Sequence, residues 1–169
     1  MIPVLQTERL TLRGPQRGDF APYAAFWAGP RSVHEGGPKD VRAAWEDFAA
    51  SFGLWTMDGI GNWAVEERAT GAFAGIVGLN HPAHFPEVEI GWTLMDGFEG
   101  RGFATEGARA ALDWTWANTD LASLVVYVDP ANERSIRVGE RIGGRRDPGA
   151  TPVDAGDVVL RIARPEGGA

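Results

Sequence analysis

The segment 96–106 constrains the fold most, because three glycines within six residues join a predicted strand directly to a predicted helix. Glycine lets a backbone adopt turn dihedrals and approach a ligand without a Cβ atom in the way. The first N–H groups of a helix have no internal acceptor, and the helix dipole adds partial positive charge there. The segment therefore predicts an anion site suited to a pyrophosphate, although an ordinary glycine-rich turn has the same composition.

Two other phosphate-binding motifs do not fit this segment. The chain has no G-x-x-x-x-G-K-[ST] sequence, which excludes a P-loop. Thr105 stands where a dinucleotide-binding fingerprint has its third glycine, although Asp129 ends the next predicted strand about where a ribose-binding acid would lie. A dinucleotide fold would begin with this unit, whereas more than ninety residues precede it here.

The composition restricts the classes of partner. The 169 residues are 44% hydrophobic, which predicts a single domain over 1–169 with an apolar core. A net charge of −7 with one lysine argues against nucleic-acid binding, which needs clustered cations, and solubility is the ordinary reason for such acidity.

Metal and membrane binding are not expected either. No cysteine is present, and His34, His81 and His84 do not form a ligand pattern, so the sequence predicts no metal. No leader peptide or membrane segment is recognisable, which predicts a cytoplasmic protein with no membrane partner.

Hydrophobic periodicity predicts an α/β chain. Alternating or continuous apolar runs predict strands at 8–14, 62–66, 72–79, 87–94, 124–128 and 158–162. Three- and four-residue spacings, with capping and breaker residues, predict helices at 19–28, 39–52, 102–118 and 132–142. This order predicts a mixed sheet with helices on both faces.

Four stretches together resemble the GNAT N-acetyltransferase superfamily, in the RimJ/RimL-like branch that includes the ribosomal-protein alanine acetyltransferases. They are Thr7-Glu8-Arg9-Leu10-x-Leu12-Arg13, Glu89-Ile90-Gly91-Trp92-Thr93-Leu94, Glu99-x-x-Gly102-x-Ala104-Thr105-Glu106, and Asn132-x-x-Ser135-x-x-Val138 with Gly143. The resemblance extends from about residue 7 to residue 163. It implies an α/β GNAT fold, whose central mixed, mostly antiparallel, twisted sheet is splayed between the fourth and fifth predicted strands and carries helices on both faces.

The same resemblance implies an acyl-CoA-dependent N-acyltransferase. Such an enzyme moves an acetyl group from its cosubstrate acetyl-CoA to a primary amine by direct attack, without a metal. The acceptor would be a protein N-terminus or a small molecule, and the protein would be a monomer or a homodimer. A module of another class, which senses acyl-CoA without catalysis, is the alternative.

The cofactor-binding residues also follow from the resemblance. The family's pyrophosphate loop, [QR]-x-x-G-x-[GA], corresponds to Glu99, Gly102 and Ala104, and the strand before it would pair its backbone with the pantetheine arm. Because a carboxylate repels phosphate, we expect the Glu99 side chain to point to solvent. Asn132 would hydrogen-bond the pantetheine arm, or else simply cap its helix. The predicted set is Trp92, Thr93, Leu94, Glu99, Gly100, Arg101, Gly102, Phe103, Ala104, Thr105 and Asn132.

Two residues are predicted to be catalytic. By resemblance, Ser135 would lie near the sulfur and donate a proton to the departing thiolate; alternatively its hydroxyl would bond back to its own helix. Glu89 shares a strand face with Gly91 and could remove a proton from the acceptor ammonium through water. Alternatively Glu89 is structural, paired with an arginine or a peptide N–H.

The acceptor side is predicted from what covers it in the family, which is the first helices and the 53–62 loop. Trp27, Trp55 and Trp63 could therefore form its wall, although a tryptophan is more often part of the core. We expect His34 and Trp63 to contact the substrate.

Overall fold

The computed structural model describes residues 1–166, in which eight strands form one sheet. The strands are β1 (Leu5–Gln6), β2 (Leu10–Arg13), β3 (Asn62–Glu67), β4 (Phe73–Asn80), β5 (Glu89–Leu94), β6 (Ser123–Val128), β7 (Arg145–Arg146) and β8 (Val158–Ala163). The helices are α1 (Phe20–Ala28), α2 (Val41–Met57), α3 (Phe103–Asn118) and α4 (Glu133–Arg141), with 3₁₀ helices at Arg17–Asp19 and Pro30–Glu35. Across the sheet the order is β1-β2-β3-β4-β5-β6-β8-β7.

The sheet is splayed between β5 and β6. These two strands are parallel and pair at one position, Glu89 with Val125, where the Val125 N–H donates to the Val88 carbonyl at 3.1 Å. The other neighbouring pairs are antiparallel, and β4 pairs with β5 along six positions. The predicted α/β fold with a mixed, mostly antiparallel, splayed sheet is confirmed.

Apolar layers cover both faces of the sheet. The alternation along β3 divides its side chains between them: Trp63 and Val65 pack into the layer formed with α3, and Ala64 into the layer formed with α1 and α2. Each fully buried large apolar side chain contributes roughly 1.5–3 kcal/mol to folding, so both helical layers hold the sheet rigid behind the splay.

The predicted elements are present with shifted ends. The helix expected at 39–52 begins after Asp40, whose carboxylate accepts the Ala43 N–H at 2.8 Å, and it continues to Met57. Gly53 does not end it, because Leu54 beyond is buried against the core. The strands β1 and β7 were not predicted, since two residues are too few to carry a period-two pattern.

The close approach of β3 and β4 gives a stability prediction. A Cβ atom on Gly78 would lie 2.4 Å from backbone atoms of Gly61 and Asn62, and backbone cannot yield as a side chain can. We expect Gly78→Ala to lower the free energy of unfolding by about 1–3 kcal/mol, measured by chemical denaturation. Gly53→Ala is the matched control, because its Cβ would meet open space within α2 and should stabilise by roughly 0.5–1 kcal/mol. Equal effects of the two changes would contradict this account.

Candidate functional site

A gap opens where β5 and β6 separate. It is a cavity of about 50 Å³ whose lining includes Glu89 and Trp92 of β5, Tyr127 of β6 and Ser135 of α4. Two larger cavities share Trp92 with it. The first, the loop cleft, has about 920 Å³ and lies between the glycine-rich segment and α4. The second, the acidic cavity, has about 1100 Å³ and is bounded by α2, the 3₁₀ helix Pro30–Glu35 and the segment 153–157.

The glycine-rich segment forms one wall of the loop cleft. Gly97, Gly100 and Gly102 have φ angles of 86°, 74° and 82°, the left-handed region that glycine adopts without strain. Gly102 caps α3 without a side-chain hydrogen bond, and its carbonyl accepts the Glu106 N–H at 3.0 Å. The N–H groups of residues 103–105 precede that bond and have no acceptor among residues 1–166. This helix end fits the predicted pyrophosphate site.

The side chain of Glu99 corrects one expectation. It does not point to solvent: one carboxylate oxygen lies 3.3 Å from Nε of Arg31, and the other is buried without a partner among the described residues. Arg31 also pairs with Asp96, and its Nη2 donates to the Leu94 carbonyl at 3.2 Å. A cation from the 3₁₀ helix Pro30–Glu35 therefore neutralises the carboxylate that the loop carries in place of Gln or Arg.

Arg101 takes part in the loop through its backbone alone. Its guanidinium pairs with Glu67 and lies 4.5 Å from the centroid of the Phe103 ring, outside the lining of the loop cleft. Its carbonyl accepts a bond from Nη1 of Arg9 at 2.8 Å. A side-chain contact between Arg101 and a ligand in the cleft is therefore not part of this arrangement. The other predicted cofactor-binding residues line the cleft, namely Trp92, Thr93, Leu94, Glu99, Gly100, Gly102, Phe103, Ala104, Thr105 and Asn132.

Asn132 and Ser135, at the start of α4, differ in their hydrogen bonds. Oδ1 of Asn132 accepts the Ser135 N–H at 3.2 Å, so Asn132 does cap the helix, and its Nδ2 lies 3.5 Å from the Glu35 carboxylate. The hydroxyl of Ser135 has no hydrogen-bond partner among residues 1–166. It lines both the gap and the loop cleft, so it is available to a ligand.

Glu89 lies half-buried at the gap. Its carboxylate accepts Nδ2 of Asn80 at 3.1 Å and, weakly, the Tyr127 N–H at 3.4 Å. It has no arginine or lysine partner in the described chain, so of the structural alternative the arginine pairing is absent and the peptide N–H bond, from Tyr127, is present. Although part of its surface reaches the cavity, protein atoms surround it densely. That burial raises the pKa of Glu89 from 4.5 to about 7; the two hydrogen bonds lower the pKa, while the charges of Glu35 and Asp157 raise it further.

His34 lies at the junction of the three cavities and lines each of them. Its Nδ1 is 2.7 Å from Oδ2 of Asp129, which follows β6 directly. This contact lowers the pKa of the Asp129 carboxyl. His34 thus lines all three cavities with one ring nitrogen already engaged, and its contact with the substrate stays a prediction.

The prediction that Trp63 contacts the substrate is wrong. Trp63 is 0% exposed, its indole N–H donates to the Pro3 carbonyl at 2.8 Å, and its ring packs against Trp55 and Trp114 on the α3 side of the sheet. Of the three tryptophans considered, Trp27 is the one that lines the acidic cavity. Side chains alternate across a strand, and Trp63 is on the opposite face of β3 from that cavity.

Three residues of the site were missed in the sequence: Arg31, Glu35 and Tyr127. Glu35 and Tyr127 line the gap, and Arg31 lines the loop cleft. The replacement of the usual Gln or Arg by Glu99 was a signal that a cation had to come from elsewhere. Within residues 1–166, no group of three His, Cys, Asp or Glu residues is arranged to hold a metal ion, and none of the helices has the length and apolarity to cross a bilayer.

Comparisons with known proteins agree with this geometry. Residues 9–145 match the family described as acetyltransferase (GNAT) domain. An acetyltransferase crystal structure from Agrobacterium tumefaciens superposes with a TM-score of 0.92 at 44% identity, covering 96% of this chain and 95% of that one. The Bacillus subtilis protein YkkB is 34% identical over 87 residues, 50% of this chain. That match spans about half of the curated relative, 51% of its length.

More distant solved structures with the same fold are named for different acceptors. They include a ribosomal-protein-S5-alanine acetyltransferase from Vibrio fischeri (16% identity, TM-score 0.70, 98% of each chain) and a spermidine N-acetyltransferase from Vibrio cholerae (18% identity, TM-score 0.72, 94% of this chain and 97% of that one). At such identities the likeness concerns the fold and leaves the branch and the acceptor open. The family match extends over most of the chain. Together with the splayed sheet and its glycine-rich helix end, it makes the chain a member of the GNAT acetyltransferase family.

Proposed function

We propose that this chain catalyses the transfer of an acetyl group from acetyl-CoA to a primary amine by direct attack, with Glu89 as base and Ser135 as acid. The observation that carries the proposal is that Glu89 of β5 and Ser135 of α4 line one small gap, which lies between the loop cleft and the acidic cavity. The two larger cavities then hold the two substrates, acetyl-CoA in the loop cleft and the amine in the acidic cavity.

The loop cleft fits the cosubstrate in two respects. The N–H groups of residues 103–105 can donate to the pyrophosphate at the positive end of α3. Beyond Glu89, β5 has β4 on one side and no pairing with β6 on the other, so the edge of Trp92–Leu94 can pair with the extended pantetheine arm. Acetyl-CoA supplies an activated thioester when bound there.

The pKa of Glu89 suits a base that works near neutral pH. An alkyl ammonium has a pKa of about 10.4 and is protonated at pH 7, whereas attack needs the neutral amine. Glu89, with a pKa of about 7, can accept that proton through a water molecule. As the nitrogen–carbon bond forms and the carbon–sulfur bond breaks, the Ser135 hydroxyl donates its proton to the thiolate, and the second proton released by the nitrogen restores the hydroxyl.

We further expect the acceptor to be a protein N-terminus or a small amine, and the chain to belong to the RimJ/RimL-like branch of the family. We also expect a single domain over 1–169 that acts in the cytoplasm as a monomer or a homodimer. The rival function is an acyl-CoA sensor without catalysis. Release of free CoA thiol, measured with peptides, amino acids, polyamines and aminoglycosides, tests the proposal: binding of acetyl-CoA without thiol release for any amine would favour the sensor.

Glu89→Gln tests the base. Only an ionised carboxylate accepts a proton, so wild-type kcat/KM should rise with pH through about 7, the pKa of Glu89. The variant should lose about 10²–10⁴-fold near pH 7 and recover partly at high pH, where solvent has produced neutral amine. The exposed Glu8 provides the matched control, since Glu8→Gln should keep the wild-type pH profile.

The raised pKa of Glu89 also predicts how the stability of the protein depends on pH. Because the folded pKa of about 7 is above the ordinary 4.5, the folded state binds this proton more tightly and loses stability as pH rises from about 4.5 through 7. Glu89→Gln should flatten the unfolding free energy over that window in chemical denaturation. A rate deficit equal at every pH, with an unaltered stability profile, would contradict the base assignment.

Ser135→Ala tests the acid. We expect kcat to fall by up to about 10²-fold, with little change in acetyl-CoA affinity, because the proton is needed only as the thiolate leaves. Steady-state kinetics and calorimetry with CoA separate the two quantities. A kcat within a factor of about two of wild type would exclude the acid role.

Substitutions of Arg31 and of Glu99 are expected to change the affinity for CoA in opposite directions. Arg31→Gln leaves the carboxylates of Glu99 and Asp96 unneutralised beside the pyrophosphate site, which should weaken CoA binding about ten- to a hundredfold. Glu99→Gln removes a negative charge and should strengthen it. Glu99→Gln should not affect an acetyl-pantetheine donor, which has no pyrophosphate, and Arg31→Gln should affect that donor less than CoA, because Arg31 also donates to the Leu94 carbonyl beside the pantetheine arm. If both donors respond equally, Arg31 acts on the fold and not on the phosphates.

A further inference from the structure

We propose that the acceptor is a small amine with at least one further positive charge, whose second cation binds Glu35, Asp154 and Asp157 in the acidic cavity while its reacting nitrogen faces Glu89. This inference rests on the proposed function, since it names the substrate class of the same site. It is carried by the charge, one unsatisfied polar atom and the size of the cavity.

The cavity has a large excess of negative charge. Its lining contains six carboxylates and one lysine: Glu35, Asp47, Glu89, Asp129, Asp154 and Asp157 against Lys39. Lys39 is paired with Asp47 at 3.0 Å, and His34 contacts Asp129 at 2.7 Å. The remaining four carboxylates form no salt bridge among residues 1–166. Of these four, Glu35 is the one that feels nearby cations: burial raises its pKa, while the charges of His34, Lys39 and Arg31 lower it. A ligand with positive charges would pair with these carboxylates directly.

These carboxylates act on one another. Besides burial, the negative charges of Glu35 and Asp157 raise the pKa of Glu89. Burial likewise raises the pKa of Asp157, as do the charges of Asp154 and Asp129. Clustered like charges are unfavourable unless something compensates them. Simple solubility does not require them to face a common cavity.

Two buried polar atoms lie on the cavity lining, and one of them adds independent support. Trp27 is 5% exposed and its Nε1 has no partner in the described chain; the Tyr127 hydroxyl is likewise buried and unpartnered. Native proteins leave few such atoms unsatisfied, so each indicates a missing partner. A cationic nitrogen can donate to the phenol oxygen of Tyr127, whereas the indole N–H of Trp27 needs an acceptor that a protonated amine does not offer.

The size and walls of the cavity favour an extended molecule. Its volume of about 1100 Å³ is at the upper end of ordinary ligand pockets and far exceeds a short monoamine. Leu54, Ile76 and Phe85 contribute apolar surface between the carboxylates, suited to methylene groups that separate two cationic nitrogens. This combination of carboxylates and apolar side chains therefore fits a diamine or polyamine better than the single amino group of a peptide N-terminus.

The test compares acceptors that differ in the number of their positive charges. With the full chain and acetyl-CoA, thiol release is measured for 1-aminobutane, 1,4-diaminobutane, a linear triamine, and a peptide with an N-terminal alanine and no charged side chains. We expect kcat/KM for the diamine to exceed that for the monoamine by at least about tenfold at low ionic strength. The ratio should fall as salt is added, since the attraction is screened.

Substitutions in the acidic cavity test where the second cation of the acceptor binds. Asp154→Asn and Asp157→Asn should each lower the diamine-to-monoamine ratio. Asparagine at 157 can still accept the Asp154 N–H, a bond of 3.1 Å, and the Asp154 side chain is exposed, so both variants should fold. Asp113→Asn, an exposed acid of α3 outside the three cavities, makes the same charge change and should leave the ratio unaltered.

The outcomes distinguish the two proposals. A diamine-to-monoamine ratio near one without salt dependence, or faster acetylation of the uncharged peptide, would overturn the substrate class and leave acetyl transfer standing. No thiol release with any amine would reject the proposed function. In that case calorimetry with CoA present still decides the binding claim, since 1,4-diaminobutane must bind more tightly than 1-aminobutane.

Discussion

The parallel pairing of β5 with β6 lasts for one residue pair, Glu89 with Val125, and the rest of the site depends on that early separation. A continued ladder would close the gap and satisfy the backbone groups of Trp92–Leu94 internally. Because the strands part, the Tyr127 N–H donates to the side chain of Glu89 instead of to a β5 carbonyl. Beyond Glu89 this edge has no β6 partner; Nη2 of Arg31 donates to its Leu94 carbonyl, and an extended ligand can pair with the remaining backbone groups.

The electrostatics of the two large cavities are opposite in sign, and this follows from which elements meet there. The loop cleft has the positive end of α3 and the guanidinium of Arg31, which offsets Glu99. Arg134 and Arg141 of α4 add positive charge to the same cleft, whereas Arg137 is offset by Glu133 at 3.1 Å. The acidic cavity lies on the other side of Trp92. In the proposed reaction, an anionic cosubstrate and a cationic acceptor would thus be attracted to different cavities that meet at one gap.

The sequence predicted what depends on local pattern. The alternation of residues 87–94 and the glycines of 96–106 predicted β5 and the start of α3, because period and backbone freedom are properties of neighbouring residues. Contacts across long stretches of chain were not predictable in the same way. Arg31 meets Glu99 only because the 3₁₀ helix Pro30–Glu35 lies over the loop. Trp63 was misassigned because its position in the sequence does not say which helical layer its face of β3 packs against.

The charge of −7 illustrates the same limit, since composition alone does not say where the charge lies. Folding brings Glu35, Glu89 and Asp157 from distant segments to one cavity. Burial raises the pKa of Glu89 to about 7, and the negative charges of Glu35 and Asp157 add to that rise. A cationic acceptor entering that cavity would have the reverse effect, because an adjacent positive charge favours the ionised carboxylate. Binding of the acceptor would then lower the pKa of Glu89 and ionise the base beside the ammonium whose proton it takes. The acidity of the cavity would thus hold the acceptor and activate the base by one electrostatic interaction.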